Sequence, residues 1–117
     1  LFFSSAAAKI GLANHEAIAA AKSGLEGLVK SAAATYAKNN IRINALGLGL
    51  VESNLSKNMI SNPISLEMSK KMHSLGRIGT PKSVVRIASQ ILYDNESWIT
   101  GSIINIDGGL STTKLAS

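Results

Sequence analysis

HEAIAAAKSGLEGLVKSAAATYAKNNIRINAL, residues 15–46, is the stretch on which the fold turns. Ile18, Leu25, Leu28 and Val29 recur at helical spacing among alanines, so His15 to Lys38 is expected to be one long helix. Asn14 is the expected N-cap, with Glu16 in the first turn and Lys38 in the last to suit the helix dipole. Gly24 and Gly27 sit inside the helix, either because another backbone packs closely there or because so alanine-rich a helix tolerates them. Asn39-Asn40 then ends it with residues that accept the left-handed conformation, and Ile41-Arg42-Ile43-Asn44-Ala45-Leu46 follows as a strand. Helix, tight turn and strand in this order make half of a βαβ unit.

The flanks extend the pattern. Leu1 to Ser4 reads as a buried parallel strand running into a loop that carries Ser5 and Gly11. On the other side, Gly47 and Gly49 open a loop. From Val51 to about Leu75 two weak helices are expected, broken at Asn62-Pro63, forming either a lid or a connector. Thr80-Pro81 starts another helix, whose apolar face is Val84, Ile87, Ala88, Ile91 and Leu92 and which ends near Tyr93. Ser102 to Ile106 is the last strand, closed by Asp107-Gly108-Gly109. The alternation indicates an α/β fold with a parallel sheet.

Composition narrows the function. The 117 residues are 45% apolar, enough for a core, and no apolar run approaches the ~18 residues of a membrane span. Opening on Leu1-Phe2-Phe3, the sequence is expected to be a piece of a longer chain. With no cysteine there is no disulfide or thiolate metal site, no metal is expected, and a cytoplasmic location is favoured. The net charge of +5 raises the question of nucleic acid, but the basic residues are scattered and aromatics are 4% of the chain. A phosphate-tracking surface clusters its charge and interleaves rings, so no nucleic-acid partner is expected.

Ser4-Ser5 ahead of Lys22, then Gly24-Leu25-Glu26-Gly27-Leu28, Ile41-Arg42-Ile43-Asn44-Ala45, Arg77-Ile78-Gly79-Thr80-Pro81, and Trp98-Ile99-Thr100-Gly101 with Asp107-Gly108-Gly109 follow one another at characteristic separations. In these pieces the chain resembles the short-chain dehydrogenase/reductase family along nearly its whole length. The resemblance implies the C-terminal half of a Rossmann-like, doubly wound parallel sheet. Residues 1–117 would be the C-terminal part of a single domain, without the N-terminal half and its glycine-rich pyrophosphate turn. It implies NAD or NADP as cofactor, a small-molecule carbonyl or alcohol as substrate, and a homo-oligomer. The isolated piece is expected either to associate through the Leu1–Ser4 edge and the 15–38 helix or to exist only as a cleaved or partly ordered piece of a longer chain.

The family's catalytic pattern is serine, twelve residues, tyrosine, three residues, lysine. Counted back from Lys22, the tyrosine position falls on Ile18 and the serine on Ser5. Ser5 and Lys22 are therefore the implied catalytic pair, Lys22 also holding the nicotinamide ribose, with isoleucine where the acid belongs. The family's proline-glycine reads Leu48-Gly49, and its carboxamide-binding threonine falls at Ser53. Gly49, Val51 and Ser53 are thus the implied cofactor loop, less constrained for want of the proline. His15, Ile18 and Lys22 share a helix face, so His15 is a candidate substitute acid, neutral near the helix N-terminus and still able to donate one N–H. Plainer readings stand beside these: a first-turn surface histidine, a solvated lysine, a serine that merely ends a strand. His73 reads as a surface residue of the lid. Two functions remain open, an oxidoreductase with a substituted acid and a dinucleotide-binding or oligomer-forming protein that keeps the fold without the chemistry.

Overall fold

The computed structural model describes residues 1–116. Three strands, β1 (Phe2–Ser5), β2 (Ala45–Leu48) and β3 (Ile103–Ile106), form a parallel sheet in the order β1-β2-β3. Phe2 is in register with Ala45, and Ala45 with Ile103. Between the strands run α1 (Glu16–Tyr36), α2 (Lys57–Ile60), α3 (Pro63–Met72) and α4 (Pro81–Tyr93). This is the expected Rossmann-like α/β arrangement.

The middle strand differs from expectation. It begins at Ala45 rather than Ile41 and continues through Gly47, which had been assigned to a loop. Residues 41–44 make their bonds to the segment before β3 instead: Arg42 Nη1 donates to the Ser97 carbonyl at 3.2 Å, and the Ile43 amide donates to Thr100 Oγ1 at 3.1 Å. Gly47 belongs in the sheet because Asn105 fills the space beside it; a Cβ there would lie 3.1 Å from Asn105 Oδ1. Asn44, buried just before β2, makes three bonds. Its Oδ1 accepts from the Ser102 amide at 3.0 Å, its Nδ2 donates to the Ile99 carbonyl at 2.9 Å, and its own carbonyl accepts from the Phe2 amide at 2.9 Å.

Helix boundaries follow local chemistry. The cap position of α1 is His15, without a side-chain capping bond, while Asn14 turns left-handed at φ 61° and so does not cap as expected. Lys38 falls in a 3-10 turn after α1, Ala37–Asn39, and Asn40 at φ 57° supplies the left-handed stop. Asn62-Pro63 starts α3: Asn62 Oδ1 accepts from the Ile64 and Ser65 amides, and proline stands at the first helical position. Thr80-Pro81 does the same for α4, with Thr80 Oγ1 accepting from the Ser83 amide. Exposed Glu67 on α3 pairs with Lys70 at 2.7 Å, which holds its carboxyl below the ordinary value.

The core is small. Leu46 and Val29 are fully buried, with Ala33, Ala45, Ile78 and Val84 around them. No residue of the described chain stands within 4 Å of a Cβ placed on Gly24 or Gly27. The close approach to α1 comes instead at Ala33, whose Cβ would stand 3.4 Å from a Cβ placed on left-handed Gly101. Phe2 and Phe3 are exposed on the edge strand β1. Among the described residues no helix is long and apolar enough to cross a membrane.

Leu46 fills the centre of the sheet, so Leu46→Ala is expected to cost about 3 kcal/mol by urea denaturation. Leu55→Ala, at a side chain 99% exposed, should change stability by less than about 0.5 kcal/mol. Equal effects at the two positions would contradict this packing.

Candidate functional site

In a parallel sheet the carboxyl ends of the strands form the crevice in which ligands bind. At the end of β1, three side chains of α1 reach back to the strand and the turn after it. Ser4 Oγ donates to Glu26 Oε1 at 2.7 Å, Lys22 Nζ donates to the Phe3 carbonyl at 2.8 Å, and Ser23 Oγ donates to the Ala8 carbonyl at 3.4 Å. Lys22 and Glu26 are four residues apart and so share a helix face. That spacing was the available signal for the Ser4–Glu26 pair, which the sequence reading did not single out.

Ser5 ends the strand and caps the 3-10 turn Ala6–Ala8, its Oγ accepting from the Ala7 amide at 3.2 Å. The hydroxyl proton is not used in that bond. Half-buried Lys22 spends one of its three N–H donors on Phe3. Ile18, one turn earlier, is 42% exposed and brings only hydrocarbon. His15 Nδ1 lies 2.7 Å from the Ala13 carbonyl. A carbonyl only accepts, so that hydrogen bond assigns a proton to Nδ1. The N–H expected to be free for donation on neutral His15 is therefore already engaged.

A second part of the site follows β2. The Gly49 amide donates to the Ile106 carbonyl at 3.1 Å, the Gly79 amide donates to the Leu50 carbonyl at 2.8 Å, and the Glu52 amide donates to the Gly79 carbonyl at 3.0 Å. Ser53 is exposed, and its Oγ accepts from the Ser56 amide at 3.3 Å. Ser56, not anticipated, is buried and donates from its hydroxyl to the Val51 carbonyl at 2.7 Å. His73 is buried against this loop, a correction to the surface position expected for it, because its ring fills the space that Gly49 and Gly108 leave open. A cavity of about 330 Å³ beside the loop is lined by Gly49, Val51, His73, Arg77, Asn105 and Asp107. The Asp107 carboxylate accepts from the Gly109 and Ser111 amides and the Ser111 hydroxyl, closing the turn after β3.

This geometry agrees with what known proteins contribute. A family model described as enoyl-(acyl carrier protein) reductase matches residues 1–111. The chain belongs to the short-chain dehydrogenase/reductase family. Among relatives, cyclohexanol dehydrogenase of Acinetobacter sp. (strain SE19) is 37% identical over 92% of the chain and 41% of that protein. A 3-oxoacyl-[acyl-carrier-protein] reductase of Chlamydia pneumoniae is 36% identical over 89% and 41%. Among solved structures, 4-hydroxyisoleucine dehydrogenase complexed with NADH superposes with a TM-score of 0.89 at 31% identity, over 96% of this chain and 46% of that one. The short-chain dehydrogenase/reductase sequence described here thus spans less than half the length of the relatives it matches.

A Cβ at Gly49 would stand 2.6 Å from His73 Nε2 and 3.0 Å from the Asp107 Cα. Backbone lies on one side and a buried ring on the other, so Gly49→Ala is expected to cost about 2 kcal/mol. Thermal unfolding checks this, and an unchanged midpoint would show that the loop is free to move aside.

Proposed function

We propose that the protein carrying this chain is an NAD(P)-dependent oxidoreductase acting on the carbonyl or alcohol of a small molecule, with isoleucine in place of the usual catalytic tyrosine. The observation that carries this reading is the bond from Lys22, one helical turn after Ile18, to the Phe3 carbonyl of the strand that ends in Ser5. The donors suit the nicotinamide-ribose end of a dinucleotide. Lys22 has N–H groups beyond the one given to Phe3, Ser53 carries an exposed hydroxyl, and the Val51 amide shares a trans peptide with a Leu50 carbonyl already turned toward Gly79.

When bound, the dinucleotide supplies hydride transfer at the carbonyl carbon. In this reading Lys22 holds the ribose hydroxyls, and its positive charge favours the alkoxide side of the reaction. Ser5, whose oxygen accepts from Ala7, donates its hydroxyl proton to the substrate oxygen. Ile18 moves no proton. His15 takes one on Nε2 from an alcohol, or gives one back once charged; otherwise water does so. The protein is proposed to act in the cytoplasm as an oligomer, as the family resemblance implies, while the exposed edge of β1 supports association of the isolated chain alone.

Ile18→Tyr in the full-length protein restores a phenol one turn from Lys22. Turnover of simple ketones, followed by oxidation of NADH or NADPH, is expected to rise on the order of 10²-fold. In the natural background, His15→Ala should lower the rate if the imidazole carries the proton and leave it unchanged if water does. The apolar side chain of Ile18 also favours a second reading, a fold kept without the chemistry. Normal cofactor binding with no gain from Ile18→Tyr would decide for that reading.

A further inference from the structure

We propose that His73 is a positioning residue, whose ring pins the Leu50 amide and so fixes the loop that presents Val51 and Ser53; the inference rests on the cofactor role proposed for that loop. His73 is 4% exposed and stands at the C-terminal end of α3. Its Nδ1 lies 2.6 Å from the Ser69 carbonyl, and its Nε2 accepts from the Leu50 amide at 3.1 Å. Ser69 offers only an acceptor and Leu50 only a donor. The pair of bonds therefore assigns the neutral tautomer protonated on Nδ1, with the Nε2 lone pair aimed at Leu50.

Three segments meet at this ring. The end of α3 supplies His73 itself, the loop after β2 supplies Leu50, and the turn after β3 supplies Gly108, where a Cβ would stand 3.5 Å from the His73 Cβ. The neighbouring backbone reinforces the junction: the Leu75 amide donates to the Gly108 carbonyl at 3.0 Å, and the Gly76 amide donates to the His73 carbonyl at 2.8 Å.

The loop has a particular need of such a clamp. Leu48 sits before Gly49 and, unlike proline, does not restrict φ. Leu50 is instead held from both sides, its amide by His73 and its carbonyl by Gly79. Two planar peptides are fixed in this way, and the second includes the Val51 amide. Loss of the His73 bond frees the first peptide while the Gly79 bond and the strand remain.

Two variants of the full-length protein separate the two bonds of the ring. In His73→Asn the amide nitrogen reaches Ser69 but nothing reaches Leu50; in His73→Gln the side-chain oxygen reaches the Nε2 position and accepts from Leu50. Hydrogen exchange at the Leu50 amide, measured without cofactor, is expected to speed up about tenfold in His73→Asn and stay near the natural rate in His73→Gln. The dissociation constants of NADH and NADPH should rise about tenfold in His73→Asn, with kcat changed less than about threefold, and return toward the natural value in His73→Gln. Unchanged Leu50 exchange in His73→Asn overturns the clamp. Equal losses in both variants reduce His73 to a space-filling residue and overturn it too. Faster Leu50 exchange in a protein whose natural form binds neither dinucleotide supports the clamp and overturns the oxidoreductase reading. Where His73→Asn does not fold, His73→Gln alone decides: near-natural affinity and exchange support the proposal, and a tenfold loss overturns it.

Discussion

A single amide side chain sets the frame. Parallel strands are joined by long crossovers that leave their register open, so something outside the ladder has to align them. Asn44 does this at the entrance of β2, bonding the start of β1 through its carbonyl and the approach to β3 through both ends of its side chain. Displacement of this residue would remove the side-chain partners of two backbone groups, the Ile99 carbonyl and the Ser102 amide. The Asn44 bonds tie the ends of β1 and β2 opposite the Gly49–Ser53 loop and reinforce the register that the strand ladder sets.

Periodicity was enough to read α1, α4 and the strand order from the sequence, because each has an apolar face or run and a clear stop at Asn40 or a clear start at Thr80-Pro81. Residues 41–44 look like strand by composition, yet their polar members are spent on side-chain bonds to a segment some 55 positions away, which no local pattern reveals. Gly47 looks like a loop residue, but its lack of a side chain answers to Asn105 across the sheet. Capping at Asn62 and Thr80 was legible from the side-chain chemistry; the left-handed turn at Asn14 was not, since asparagine serves both uses.

The candidate site divides in the same way. Ser5, Ile18 and Lys22 were singled out by counting along the chain, and Lys22 bonds the Phe3 carbonyl within β1. His73 could not: a lone histidine in a polar, methionine-bearing segment looks solvated, and its burial depends on space left by Gly49 and Gly108, which are distant in sequence. Ser56 was hidden among neighbouring serines for a similar reason. Positions that support a loop through the backbone carry little sequence signal, because their partners are peptide groups that every residue possesses.

The bond from Lys22 to the Phe3 carbonyl has an evolutionary side. It anchors the ammonium to the strand through the backbone, with no help from the side chain at position 18. Exchange of residue 18 leaves that bond in place, although the covered part of the residue, 42% exposed, still has to be accommodated. Folding therefore constrains residue 18 through its packing and not through the bond that holds Lys22 to the strand. Substitution at this position is a single-codon event in a scaffold that waits unchanged on either side of it.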